Sequence, residues 1–596
     1  MVTATGPAPG SEMTHDAADV RPHRNTCGAL SMPAIFGDGM VLQRDRPIAL
    51  FGTSCTSDMS HTSNTGNTSD SVVTMRLIDA HGTVAATASA SVDPPTGRWF
   101  AQLPSLPASG PYDLLVESGE DRLRFTDVYV GVVWLAGGQS NMEVELRNSD
   151  DAEQAIAQCA DPLLRFRNVP KTGVVDETAE NDAVWQPSSP QTSGVMSAIA
   201  YYFARRLRAE LGPDIAVGVV DCYIGGTSIT CWMSREILEG CAAGRGYLER
   251  YDQAVAGKSS EELHAAADTW QREFDAWNAA IAAAQQADPD ITWDTLNAQY
   301  GSCPWPPPVT PFSQWHICGA YEAMIQRIAP YTIEGVLWYQ GEEDEPYCES
   351  YRELLGLMIG QWRGLWHDAG LPFLLAQLPQ WIDGKVDKTS GDPMLWPTIR
   401  TAQWDAAHTI GDVHAVCLMD CGEYDNIHPT DKRTPGERLA DCALRRVYGR
   451  ADVTDCGPET LEARLTGDGG VTIRFDHASG LRFDGTDPTS RRDEARRRRE
   501  NASGPTREAG VSGFELAGPD GVFHPASATI EAANPDTGAH TVATVRVAAH
   551  DVPEPVMVRY AWRSWGPAPL FNASGLPAAP FTCRVDCEPH GLSSVD

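Results

Sequence analysis

The chain runs to 596 residues, too long for one hydrophobic core, so roughly two to four domains are expected. With 46 Lys and Arg against 80 Asp and Glu, its net charge of −34 argues against a nucleic-acid surface and says little about any one site. No apolar run approaches the ~20 residues of a membrane helix, so no membrane partner is expected.

From Met1 to Arg24 the text is rich in Pro, Gly, Asp and His and lacks the apolar stretch of a secretory signal. A disordered tail over 1–27 and a cytoplasmic location are the expectation. The 15 cysteines are odd in number, scattered, and mostly in apolar surroundings, which reads as reduced thiols rather than a disulfide framework. Cys417/Cys421 and Cys583/Cys587, the latter near His590, lack the two-residue gap of zinc knuckles, so no metal is expected.

Residues 28–126 read as an amino-terminal β domain. Short strands at Pro47–Gly52, Val72–Asp79, Thr83–Val92, Arg98–Leu103 and Tyr112–Glu117 alternate apolar and polar positions and suggest a small β-sandwich. Between them Thr53–Ser71 is too polar to be other than a solvated loop.

From 127 to 450 the rhythm becomes strand–helix alternation. Val130–Ala136, Ile215–Asp221, Glu334–Tyr339, Pro372–Leu378 and Val413–Met419 are five apolar strands of the kind buried in a parallel sheet. Helices are expected over Met196–Leu211, Gly319–Ala329, Tyr347–Asp368, Thr398–Thr409 and Thr434–Tyr448. The fold class is α/β, a doubly wound parallel five-stranded sheet. Residues 239–308, Ala-rich and then Trp/Pro-rich, read as an insertion. Beyond 450 the text is β-rich to the end at 596, broken by 484–507, whose basic run reads as a mobile loop.

Four of the strands run into loops that carry chemistry. The first breaks at Gly137-Gly138 and delivers Gln139-Ser140-Asn141-Met142-Glu143, and the second ends in Gly225-Gly226. The third ends in Gln340-Gly341-Glu342-Glu343-Asp344, the fifth in Asp425-Asn-Ile-His428-Pro. Loops at the carboxyl ends of a parallel sheet meet at one rim. There a carboxylate three residues before a histidine can accept its Nδ1–H and leave Nε2 to take a serine proton. Ser140 is then a candidate nucleophile and His428 its base, with Asp425 orienting it. The amides of Ser140 and of Gly225 or Gly226 can form an oxyanion hole. Each piece also has a plainer reading: Gly-Gly-Gln-Ser as a strand-to-loop turn, Asp-x-x-His as a loop clasp, Glu342–Asp344 as an outward acidic turn.

The set Gly138-Gln-Ser-Asn-Met142, Trp338-Tyr-Gln-Gly-Glu342 and Asp425-Asn-Ile-His-Pro429 resembles the sialate O-acetylesterase family of SGNH hydrolases. Phe36–Arg44, Trp232–Ser234, Leu371–Gln377, Arg400–Gln403, Gly436–Ala440, Gly513–Glu515, Val558–Trp562 and Gly575–Pro577 extend the resemblance over most of the chain. It implies an SGNH-type sheet flanked by β-sandwich-like regions, with Ser140 as nucleophile, His428 as base and Asp425 as its acid. Gln139, Asn141, Gln340, Gly341 and Glu342 would line the oxyanion and substrate site. The asparagine that such enzymes place at Gly341-x-Asn is absent here, where Glu343 stands, so Gln340 is the alternative donor.

The activity implied is removal of O-acetyl groups from a sugar through an acetyl-enzyme, without metal or cofactor. Sialic acid is the substrate the resemblance favours. An acetylated xylan or other plant glycan is the second reading, and a glycan-binding module the non-enzymatic one. A sialate carboxylate needs a local cation against the overall negative field, and Arg147, Arg235 and Arg400 are candidates unless each is held in an ion pair. The pattern sets no oligomeric state.

Overall fold

A computed structural model describes residues 30–54, 72–288, 291, 293–424, 426–483, 512–531 and 541–585. The tail expected over 1–27, the loop at 484–507 and nearly all of the loop at 53–71 lie outside the described residues, as does Asp425.

A mixed α/β body is organised around one strand, β1 (Asp121–Gly138), whose burial becomes continuous from Val130 onward. Its first half pairs antiparallel with Ser109–Ser118, and Val41–Gln43 pairs parallel with Tyr129–Gly131. Its second half is the centre of a parallel sheet. The boundary expected between 126 and 127 therefore falls inside a strand, and the amino-terminal region shares a hydrophobic core with the sheet and its helices.

That sheet holds β2 (Asp161–Asn168), β3 (Val217–Tyr223), β4 (Gly335–Tyr339), β5 (Phe373–Ala376) and β6 (Val413–Val416) in the order β6-β5-β4-β1-β3-β2, with Gln186–Ser188 on the far edge. Neighbours within β1–β6 are all parallel, and the edge strand is antiparallel. The expectation of five strands is corrected to six parallel strands. Residues 161–168 escaped notice because Arg165 and Arg167 interrupt the apolar run. Both are buried, Arg165 donating to the Gly39 and Asp127 carbonyls and Arg167 to those of Glu180 and Ala183.

The chain moves from β1 out to β2, back to β3, then across to β4, β5 and β6. The winding reverses at β1, and a doubly wound sheet presents its crevice at such a switch point. Helices α2 (Ala198–Leu211) and α6 (Arg433–Arg446) pack together, as do α4 (Cys348–Leu365) and α5 (Leu395–Thr409). Helix α2 starts where Ser197 accepts from the Ala200 amide and ends at Gly212.

Among the described residues, carboxyl-terminal strands form two four-stranded antiparallel sheets and a short pair around a second core. Among the described residues no helix is long and apolar enough to cross a membrane.

Candidate active site

The register of the sheet places the functional loops at one level. Gly138, the last residue of β1, stands opposite both Tyr223 and Tyr339, the last residues of β3 and β4. Side chains are excluded at Gly138: a Cβ there would stand 2.0 Å from the Tyr339 carbonyl oxygen, and its φ is +135°. This glycine lets the first and third loops leave the sheet in contact, with the Gln139 amide donating to the Tyr339 carbonyl.

Ser140 opens the single helical turn α1 (Ser140–Glu143), where the Gln139 carbonyl accepts from the Met142 and Glu143 amides. It is 7% exposed, and among the described residues its hydroxyl has no hydrogen-bond partner. Gly225 closes over it, since a Cβ on Gly225 would lie 3.3 Å from the Ser140 Cβ. The second loop thus meets the serine as the sequence suggested. The Gly225 amide, however, donates to Glu143 Oε2, and Glu143 Oε1 takes Lys171 Nζ at 2.7 Å. Gly226 keeps its amide unbonded among the described residues, so of the two glycines it is the one with a donor to offer.

The third loop turns inward, against the plainer reading of it as an outward acidic turn. Asp344 is buried and accepts from Ser228 Oγ, the Ile229 amide, Tyr247 OH and Gln340 Nε2 at 2.6–2.8 Å, binding the second loop to the third. Gln340 is fully buried, and its amide nitrogen donates to Asp344, the Thr227 carbonyl and Gln139 Oε1. Its donors face the protein, so the candidate oxyanion role is not the one its side chain plays here. Gln139 Oε1 also accepts from the Gly341 and Glu343 amides, which fixes the residue before Ser140 against the third loop.

Asn141 joins the remaining loops. Its Nδ2 donates to Glu342 Oε1 at 2.7 Å and to the Ile427 carbonyl at 2.9 Å, and its Oδ1 accepts from Lys432 Nζ at 2.5 Å. The residue after Ser140 is thereby hydrogen-bonded to the residue before His428. Around His428 the loop is braced by Asn426, whose Oδ1 accepts from the His428 amide while its Nδ2 donates to Glu423. Asp425 lies outside the described residues, and among the described residues His428 Nδ1 has no partner.

Electrostatics follow from this burial. Burial, assisted by the Lys432 charge, holds His428 well below the ordinary imidazole value, so the ring is a neutral base. Lys432 itself is pushed down to about 8 by burial, against the pull of Glu342. Glu342 is raised to about 7 by burial, and Glu343 to about 8 by burial and the neighbouring Asp344. A carboxyl crowd of this kind is sustainable because part of it holds protons near neutrality.

The insertion and the segment just after it reach the site as well. The Trp315 indole donates to the Gly225 carbonyl at 2.7 Å, and the Trp305 ring lies on Gly226. Tyr247, within the insertion, is the donor to Asp344 already described. Sequence reasoning missed Asp344, Lys432, Lys171 and Trp305, whose partners are distant in the chain and set only by the fold.

The cations proposed for a substrate carboxylate are engaged elsewhere. Arg147 pairs with Glu145, and Arg235 with Glu239 and Asp252. Arg400 is fully buried and donates to the carbonyls of Leu378, Pro379, Arg563 and Ser564. It joins the sheet region to the carboxyl-terminal domain.

A carbohydrate esterase model described as sialic acid-specific acetylesterase matches residues 308–445, a stretch holding the third and fourth loops but not Ser140. Mouse sialate O-acetylesterase is 25% identical over 439 residues, covering 68% of this chain and 73% of the relative. The rat sialate O-acetylesterase is 26% identical over 424 residues, 66% and 71% of the two chains. The chain is similar to these sialate O-acetylesterases over about two thirds of its length. A crystal structure of a carbohydrate acetylesterase from Xanthomonas citri, 28% identical, superposes with a TM-score of 0.65 over 93% of this chain and 99% of that one. The likeness to that structure extends past residues 308–445 to the flanking β regions.

Proposed function

We propose that this chain is a sialate O-acetylesterase working as a serine hydrolase, with Ser140 as nucleophile, His428 as general base and Asp425 as the acid that orients it. Ser140 Oγ attacks the acetyl carbonyl while His428 takes its proton. The tetrahedral oxyanion is met by the amides of Ser140 and Gly226, which among the described residues have no partner. Collapse expels the sugar hydroxyl, protonated by His428, and leaves an acetyl-enzyme. Water, deprotonated by the same ring, then releases acetate and restores Ser140.

The observation that carries this reading is the Asn141 bridge to Glu342 and the Ile427 carbonyl, which gathers the first, third and fourth loops around an unbonded serine hydroxyl. A second reading, an esterase for neutral acetylated glycans, is favoured by one fact: Arg147, Arg235 and Arg400 all have protein partners.

Hydrolysis of 4-nitrophenyl acetate and of O-acetylated sialic acid, each with and without a serine-directed organophosphate, tests the proposal. Release of acetate from both, abolished by the inhibitor, is expected. Turnover that survives the inhibitor overturns the serine mechanism.

A further inference from the structure

Trp305 presents an indole to solvent at a position where nothing in the proposed chemistry demands one. It is 37% exposed, whereas Trp134, Trp232, Trp338, Trp362 and Trp396 are buried in the core. Leaving part of so large an apolar side chain in water forgoes some of the free energy of its burial.

Its orientation is fixed from several sides. A Cβ on Gly226 would come within 2.3 Å of its Cη2 and 2.5 Å of its Cζ2, so the ring can lie there only because residue 226 is glycine. Trp315 meets it edge-on at 5.6 Å and 90°, and Trp270 at 6.3 Å and 66°. The Glu343 carboxyl is a hydrogen-bonding neighbour. Trp315 is itself anchored to the Gly225 carbonyl, and Gly225 lies against Ser140. The exposed ring is therefore held rigidly one residue from the glycine that touches the nucleophile.

A sugar ring has an apolar face of C–H groups that packs well on an aromatic plane, and a pre-positioned ring gives that contact at little entropic cost. We infer that Trp305 is a specificity-determining platform on which the acetylated pyranose, or the ring beside it, lies during deacetylation. This rests on the esterase reading above. It assigns the insertion a function: residues 239–308 bring an aromatic wall to a rim that the sheet alone leaves open.

The test compares Trp305→Ala and Trp305→Phe with the wild type on two esters, O-acetylated sialic acid and 4-nitrophenyl acetate, which carries no sugar. In Trp305→Ala the ratio of kcat/KM on the sugar ester to that on the sugar-free ester should fall about tenfold, chiefly through KM, as loss of one aromatic contact predicts. Trp305→Phe should recover most of the ratio. An unchanged ratio, or equal losses on both esters, would overturn the platform and leave Trp305 as packing. A wild-type protein inert towards both esters would instead remove the esterase reading on which the platform stands.

Discussion

Asn141 donates its side-chain amide to the carbonyl of Ile427 at 2.9 Å, so the residue that follows Ser140 grips the residue that precedes His428. Two loops separated by nearly three hundred residues are locked in register by a single buried side chain. The orientation of that amide is not free to reverse, because Lys432 Nζ can only donate to Asn141 Oδ1. Lys432, Asn141 and Glu342 form a buried chain in which opposite charges stand on either side of a neutral amide. The catalytic geometry proposed here is therefore built on residues that need not touch substrate.

Ser140→Ala should abolish esterase turnover without unfolding the protein. The hydroxyl has no hydrogen-bond partner among the described residues, so its removal orphans no buried group. Loss of a nucleophile in a Ser-His-Asp constellation lowers the rate by roughly 10⁴–10⁶. Acetate release and the melting temperature of the variant check both halves. Activity above about a tenth of wild type would move the chemistry to another residue.

The acid limb of kcat/KM should lie below the ordinary imidazole value. His428 must be neutral to accept the serine proton, and burial with the Lys432 charge depresses its affinity for protons. The sign for stability follows: the unfolded chain protonates this ring more readily than the folded one does. The contribution of His428 is thus complete above about pH 6.5 and is lost as the pH falls. Asp425→Asn should impair the rate less than His428→Ala, since the acid only orients and stabilises the ring. Lys432→Met should move the acid limb upward by removing a positive neighbour, and should destabilise the fold by ~3 kcal/mol or more as Glu342 loses its compensation. A pH profile with its acid limb at or above 6.5, or Asp425→Asn as active as wild type, would contradict these assignments.

Much of this was legible before any coordinates. The strands β1, β3, β4, β5 and β6 announce themselves as apolar runs, and the loops that follow them carry the motif residues Ser140, Gly226, Gln340 and His428. What escaped reading has a common cause. Strand β2 was hidden because its arginines are buried among backbone carbonyls, a satisfaction that sequence patterns do not display. In the sequence Asp344 fits a surface turn as well as a site loop, and only the fold makes it the acceptor for four donors drawn from three segments of chain. Gln340 is a candidate oxyanion donor by sequence, and its amide nitrogen is taken up by that same aspartate. In each case a polar residue took its meaning from a partner far away in sequence.

Arg400 provides a clean contrast between a binding residue and a structural one. It stood among the candidates for a substrate carboxylate, but its guanidinium is fully buried and bonded to four carbonyl oxygens across two domains. Arg400→Lys supplies fewer donors without the planar fork, so carbonyls at Leu378, Pro379, Arg563 and Ser564 lose partners. A loss of ~3 kcal/mol, read as a lower denaturant midpoint, is expected. KM for an O-acetylated sugar, measured well below the melting temperature, should be unchanged within about twofold. A KM effect without a stability effect would return Arg400 to the substrate site.

The choice of sugar is decided by what meets its carboxylate. With Arg147, Arg235 and Arg400 engaged and Lys432 buried against Asn141, a partly exposed cation near this rim is Lys171, 2.7 Å from Glu143, whose other oxygen holds the Gly225 amide against the serine. A sialate carboxylate arriving at this rim would compete with Glu143 for that ammonium, and its gain would be the charge-assisted bond less the interaction given up. The expected outcome is higher kcat/KM on O-acetylated sialic acid than on acetylated xylo-oligosaccharide, with Lys171→Met raising KM for the sialate about tenfold and for the neutral sugar far less. The same comparison at raised salt should narrow the preference, since a partly exposed pair is screened. A preference for the neutral oligosaccharide of about tenfold or more in wild type would sink the sialate assignment. It would leave the serine esterase and the Trp305 platform standing, because neither depends on the charge of the sugar.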